Sequence, residues 1–247
     1  MLSSKGASLE GSIALVTGAS SGVGRAIAIS LARCGAFVCA AGRDTKRLGE
    51  TILYSEPTAR AIPIPADLTL DASIERVEEL VRKEFGKLDI LIHSAGIIQH
   101  SLMANTSMDD LDRQYTANVR APYALTRTLL PLLRTSRGQI VFIHSSLALT
   151  AQRPEVGKFA ATQHAMKAVA DSLRHEVNAS GMRILSIFLG RTATPRQERL
   201  YREEGQTYRP ELLMQPKDVA EMVICALTLP RTAEVTDVSM RPLIKSY

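Results

Sequence analysis

Tryptophan is absent from the 247 residues, and aromatic side chains make up only 4% of them. A chain so poor in flat rings has little on which to stack bases or sugars, which argues against such a platform as its main business. Cysteine is scarce too: Cys34, Cys39 and Cys225 are an odd number without C-x-x-C spacing. They read as free buried thiols in a reducing compartment, so a cytoplasmic location is expected, and no metal site is expected. No run approaches the roughly 20 apolar residues that a membrane helix needs, and MLSSKGASLE lacks the basic start and apolar stretch of a secretory signal. Charge of one sign is not concentrated either. The net charge is +5, but Lys and Arg are spread among Asp and Glu. No nucleic-acid partner is expected from that pattern; an anionic small molecule carrying phosphate is.

What the chain does have is ordinary globular material, 45% hydrophobic and 22% charged. It shows no repeat, low-complexity tract or linker, so one domain over 1–247 is expected, of a size that buries a sizeable core. Short β-branched runs alternate with longer helical patterns. Strands are predicted over 12–18, 36–42, 60–66, 88–96, 138–146, 183–190 and 234–240. Helices are predicted near 22–34, 45–54, 71–85, 108–134, 156–179 and 216–228, with Asp71 and Asp218 placed as N-caps. Such alternation predicts the α/β class, with a parallel sheet covered by helices on both faces. In that architecture ligands bind at the carboxyl ends of the strands.

The first strand runs into TGASSGVG, which supplies Gly18, Ser20, Ser21, Gly22, Val23 and Gly24. Glycines let the backbone approach a pyrophosphate, and the helix that follows offers unpaired N–H groups and the positive end of its dipole. Between a first strand and a first helix, a glycine trio is a strong signal for a dinucleotide. The second strand ends Ala-Ala-Gly42-Arg43, with no carboxylate where a ribose 2′-hydroxyl is usually met. The guanidinium of Arg43 suits a 2′-phosphate, with Ser21 and Lys46 nearby, so NADP(H) is the expected cofactor.

TGASSGVG, the ADL run carrying Asp67 and Leu68, HSAG at 93–96, Asn118 in TANV and a strand ending in serines resemble the short-chain dehydrogenase/reductase family in order and spacing. The likeness covers essentially the whole chain. It implies a seven-stranded Rossmann-type sheet, with Asp67 beside the adenine and Ser94, Ala95 and Gly96 along the cofactor. It also implies nicotinamide contacts from Gly190, Thr192 and Thr194, and a homodimer or homotetramer built through the long fourth and fifth helices. Two departures are mild: Ser94 stands where the family usually has asparagine, and Leu189 replaces a proline.

The third departure is not mild. The family protonates its carbonyl substrate with a tyrosine whose pKa is lowered by a lysine one helical turn on, both on one helix face. A serine holds the carbonyl, and an asparagine, matched here by Asn118, shapes a proton-relay water. In GKFAATQHAM the tyrosine and lysine positions hold Phe159 and Gln163. No tyrosine elsewhere opens a Y-x-x-x-K motif, and the flanking text fixes the register. The serine is Ser145 or Ser146, which face opposite sides of a strand; strand register favours Ser145. Lys158 points elsewhere on the helix, and His164 and Lys167 read as ordinary residues of an amphipathic helix. Residues 191–215 are expected to form a substrate lid. Its Arg196, Arg199 and Arg202 suit either an anionic substrate or, better, a solvated face paired with Glu198, Glu203 and Glu204. Tyr201 and Tyr208 are lid phenols that closure would bring near the site.

Three readings follow. The chain is an NADP(H)-binding scaffold for a small carbonyl compound that has lost ordinary proton-coupled hydride transfer, either naturally or as a disabled variant. Alternatively it is an enzyme of changed chemistry: reduction of an imine or iminium, or a cyclisation or isomerisation in the same pocket. Alternatively it senses NADP(H) and answers through a partner.

Overall fold

The computed structural model describes residues 8–55, 60–151 and 153–244. Its strands are β1 (Ile13–Thr17), β2 (Phe37–Gly42), β3 (Ala61–Pro65), β4 (Ile90–His93), β5 (Gln139–Ser145), β6 (Arg183–Leu189) and β7 (Asp237–Met240). They form a seven-stranded sheet in the order β3-β2-β1-β4-β5-β6-β7, every neighbouring pair parallel. The chain winds outward from β1 in one direction and then, through β4, in the other. The carboxyl ends of β1 and β4 therefore flank a crevice where the order reverses.

Helices cover both faces because each strand buries both of its faces. One layer sets α1 (Gly22–Arg33) and α8 (Pro216–Leu227) on the sheet, with Ile27, Leu31, Val219 and Val223 against Val16, Ile92, Val141 and Ile187. The other layer sets α3 (Asp71–Phe85), α5 (Ala121–Thr135) and α6 (Gly157–Val177) on Leu15, Leu91, Ile140 and Ile184 through Val77, Leu129 and Leu173. Successive residues of one strand, such as Ile140 and Val141, enter opposite layers, as the two-residue pleat requires. The remaining helices are α2 (Thr45–Leu53), α4 (Met108–Tyr115) and α7 (Pro195–Glu203).

Two cap assignments need correction. Leu70 is the N-cap of α3, so Asp71 falls within the first turn, where its charge still suits the helix dipole. Gln215 is the N-cap of α8, and Asp218 is its N3 partner, accepting the Gln215 N–H at 2.7 Å in a capping box. The cysteines are all free, but only Cys39 is buried, and burial pushes its thiol up to about 12. Cys34 is half-buried and Cys225 exposed. The helix expected over 108–134 is continuous but not uniform. Thr116–Arg120 form a π-helical turn between α4 and α5, with Asn118 buried inside it.

Candidate active site

The ends of β1 to β6 deliver their loops to one cleft of about 400 Å³. Glycine makes the outer wall possible. A Cβ on Gly24 would lie 2.4 Å from the Gly18 carbonyl oxygen, and one on Gly18, whose φ is +68°, would lie 2.9 Å from Ala95 Cα. The loops after β1 and β4 therefore pack backbone to backbone. Thr17 holds them there, its Oγ1 accepting the N–H groups of Ser94 and Ala95 at 3.0 and 3.1 Å. The first turn of α1 carries no acidic residue, so its free N–H groups and positive dipole end face the cleft uncompensated.

Gly18, Ser20, Ser21, Gly22, Val23 and Gly24 all line this wall. Arg43, Asp67 and Leu68 line the end nearest β2. Arg43 makes no hydrogen bond or ion pair among the described residues. Asp67 accepts the hydroxyl and N–H of Thr69 at 2.7 and 3.0 Å; the hydroxyl bond foremost, with help from Arg43, holds its carboxyl below the usual range. The neighbouring carboxylate, Asp44, is spent on capping α2 through the Arg47 N–H and lies outside the cleft lining. Lys46 does not line the cleft either.

Ser94, Ala95 and Gly96 run along the floor, and Gly190, Thr192 and Thr194 come in from β6. Thr194 also caps α7, accepting the Gln197 N–H at 3.1 Å, with Pro195 in the first turn.

The inner end holds the unusual pair. Phe159 and Gln163 lie on the buried face of α6 and line the cleft together with Asn118 and Ser145; Ser146 does not. Ser146 opens a short 3₁₀ turn beyond β5, and Ser145 Oγ accepts the Leu147 N–H there at 3.2 Å, which leaves its own O–H to donate. Asn118 is fully engaged. Its Oδ1 accepts the Ile97 N–H at 2.8 Å, while Nδ2 donates to the Ile97 carbonyl and to Thr162 Oγ1. The π-helical turn aims it at that loop, a common use of such turns. Gln163 Oε1 accepts the Ser145 N–H at 2.8 Å.

Among the described residues that line this end beside Phe159 and Gln163, none is an ionised acid or base. His93 and His144 line it, but burial, foremost, holds them down at about 3 and about 4, so both rings are neutral near pH 7. They alternate with phenylalanines in a stacked ladder, His93–Phe142–His144–Phe188, with centroid spacings of 4.9, 5.9 and 5.1 Å. Of the other candidates on α6, Lys158 is buried outside the cleft lining, the His164 ring contacts the Ala160 carbonyl, and Lys167 pairs with Asp171 at 2.6 Å.

Residues 191–215 contain a helix, α7, whose Pro195, Arg196, Gln197 and Leu200 line the cleft. Arg199 and Arg202 pair with Glu203 and Glu198 as helical spacing predicts. Arg196 and Arg199 also reach over to the loop after β4, donating to the carbonyls of Gly96 and Ile98 at 2.6 and 3.2 Å. Glu204 leaves the helix face altogether and is clamped by Arg153 at 2.6 Å and Arg191 at 3.4 Å. Arg153 also donates to His100 Nδ1, and the His100 ring lies 6.4 Å from that of Phe159. Tyr201 packs under the Arg191 guanidinium and edge-on to Tyr208, and neither phenol lines the cleft. The clamp joins residues 51 positions apart, a pairing with no local signal in the sequence.

The family model described as short chain dehydrogenase matches residues 12–205. The chain belongs to that family. Its relatives include a short-chain type dehydrogenase/reductase from Sinorhizobium fredii, 35% identical over 236 residues, covering 93% of this chain and 91% of that one. A short-chain dehydrogenase from Burkholderia cenocepacia, solved in complex with NADP, is 27% identical and superposes with a TM-score of 0.83, covering 94% of this chain and 97% of that one. An alcohol dehydrogenase from Thermococcus sibiricus, solved with 5-hydroxy-NADP, shares the short-chain dehydrogenase fold at a TM-score of 0.85 and 24% identity, covering 96% and 98%. Among the described residues no helix of this family member is long and apolar enough to cross a membrane.

Proposed function

We propose that the cleft binds NADP(H) and a small carbonyl-type substrate, and that ordinary proton-coupled hydride transfer is lost or strongly impaired. The observation that carries this reading is the inner end of the cleft, where Phe159 and Gln163 stand and neither offers an ionisable group. The cofactor half fits its ligand. A glycine cradle closes on an acid-free helix N-terminus, and Arg43, which makes no hydrogen bond or ion pair among the described residues, stands with Asp67 at the β2 end of the cleft while Asp44 is tied to α2. The NADP complexes of structural relatives support the same assignment. Gly18 to Gly24, Arg43, Asp67, Leu68 and Ser94 to Gly96 hold the cofactor, with Gly190, Thr192 and Thr194 on the nicotinamide side. When bound, it supplies a hydride; the chain supplies Ser145 to hold the acceptor, and at Phe159 and Gln163 no ionisable group to protonate it.

A second reading is favoured by the neutrality of His93, His144 and Gln163. An imine already carrying its positive charge needs no proton from the protein, so an uncharged site does not handicap it. Free cysteines support a cytoplasmic setting, and the exposed Met108, Tyr115 and Tyr123 on the helical stretch 108–134 support a homodimer or homotetramer built through it and α6.

NADPH binding followed by fluorescence, then turnover over ketones, aldehydes and imines, tests the proposal. The chain should bind NADPH more tightly than NADH and turn over ketones slowly. Phe159→Tyr with Gln163→Lys should raise ketone turnover by on the order of 10²-fold. Fast ketone reduction by the unaltered chain, with no gain in the double variant, would refute the loss of function. Equal affinity for NADH and NADPH would refute the role of Arg43.

A further inference from the structure

Behind the inner end of the cleft, three buried side-chain nitrogens have no hydrogen-bond partner among the described residues: His100 Nε2, Gln114 Nε2 and Lys158 Nζ. None of the three residues lines the cleft. Gln114 is 0% exposed and Lys158 8%, so these groups are withdrawn from solvent as well as from partners.

The loop after β4 sets them together. It is stitched down at every second residue: the Ile97 N–H donates to Asn118 Oδ1 at 2.8 Å, the Gln99 N–H to Gln114 Oε1 at 2.9 Å, and the Ser101 N–H to the Glu155 carbonyl at 3.0 Å. His100 lies between the last two bonds, hence between Gln114 and the entrance to α6, and its ring stands 6.4 Å from that of Phe159, the residue after Lys158. The helices agree. The stretch 108–134 and α6 each return from one of two neighbouring parallel strands, so they run the same way. Asn118 Nδ2 donates to Thr162 Oγ1 at 3.1 Å and fixes their register. One turn back along each brings Gln114 opposite Lys158.

All three nitrogens are donors. Gln114 Oε1 already accepts the Gln99 N–H, which turns the amide hydrogens of Nε2 the other way. The Arg153 guanidinium only donates, and it donates to His100 Nδ1 at 3.1 Å, so the proton of the neutral ring is on Nε2. Lys158 has three donors and no acceptor. It stands in the first turn of α6, which has no acidic residue and no side-chain cap, so the positive end of the helix dipole adds to its charge. Glu204, the carboxylate that reaches His100, is held by Arg153 and Arg191, and Lys158 makes no ion pair among the described residues. Each such donor buried unpaired costs about 1–3 kcal/mol, and a charged one more. A water accepts from two of them and brings two hydrogens of its own, for which this cluster offers no acceptor. An anion accepts from all three and offsets the ammonium.

We infer that the corner between α4, the start of α6 and the loop after β4 is a binding site for a small monovalent anion of chloride size, held by Gln114 Nε2, His100 Nε2 and Lys158 Nζ. The site is separate from the cofactor cleft and does not depend on what the cleft binds. Its occupant joins three segments directly behind Phe159.

The test compares melting of the full chain in sodium chloride, sodium bromide and sodium gluconate at one ionic strength. At about tenfold above the dissociation constant, either halide should raise the midpoint by about 4 °C over gluconate. Lys158→Met and Gln114→Leu should each abolish that difference, and Lys158→Met should melt no lower than the unaltered chain in gluconate, because it removes a buried charge along with its need for a partner. A crystal soaked in bromide should give an anomalous peak between Gln114 and Lys158 that Lys158→Met lacks. Equal midpoints in the three salts overturn the inference. So does a halide gain that persists in both variants, which is a general salt effect, and so does the lack of a bromide peak at this corner. Should a variant fail to fold, the bromide peak of the unaltered chain decides alone.

Discussion

At the scale of single residues, the site is defined by groups that do not titrate near neutrality. His93 and His144 carry the largest cost of that design. Both are neutral when folded, with burial holding them at about 3 and about 4, whereas an unfolded imidazole protonates near 6.5. Between those values the unfolded chain binds more protons, so folding stability is complete above about pH 6.5 and falls as the pH drops below it. By pH 5 each histidine should have withdrawn about 2 kcal/mol, read as a falling midpoint in urea titrations from pH 7 to 5. His93→Gln or His144→Gln should flatten that slope. A slope unchanged in both variants would place the loss elsewhere. The histidines are plain in the sequence, but their consequence is not, because it depends on burial within a stacked ladder that crosses three strands.

Among elements, the first strand–turn–helix unit tolerates least change. Gly24→Ala places a methyl group 2.4 Å from the Gly18 carbonyl oxygen, backbone that cannot step aside. NADPH affinity should fall by more than tenfold and the fold should lose on the order of 2 kcal/mol, measured by fluorescence titration and urea unfolding. This unit was fully legible beforehand, since glycine spacing between a strand and a helix is a local pattern. So was the sheet: each of the seven predicted strands is present, with ends trimmed by a few residues where backbone pairing stops. The two helix caps were misplaced by one and three positions, because Leu and Gln at a cap carry no compositional signal. The segment 191–215 was legible only as helical spacing of arginines. That Arg196 and Arg199 reach loop carbonyls about 100 positions away, and that Glu204 is held by Arg153 and Arg191, depends on tertiary structure alone. Ser145 and Ser146 were separable only in part. The strand pleat put them on opposite sides, and the structure leaves Ser145 in the cleft.

Taken whole, the molecule presents Tyr115 and Tyr123 to solvent on α4 and α5, 48% and 54% exposed, with Met108 on the same pair of helices. Large apolar side chains so placed are what an association face offers. Light scattering should give a mass at least twice the 26.9 kDa of one chain. Tyr115→Glu with Tyr123→Glu should reduce it to that value, and an unchanged mass would move the interface to another face. In the structure α7 is already fastened across the cleft by bonds from Arg196 and Arg199 to neutral carbonyls, which dissolved salt screens weakly. Anything seated beneath must wait for both to part before it leaves. A variant that loosens α7 should therefore shorten the stay of a guest, and since Pro195, Arg196, Gln197 and Leu200 line the cleft it should also cost the guest some of its contacts.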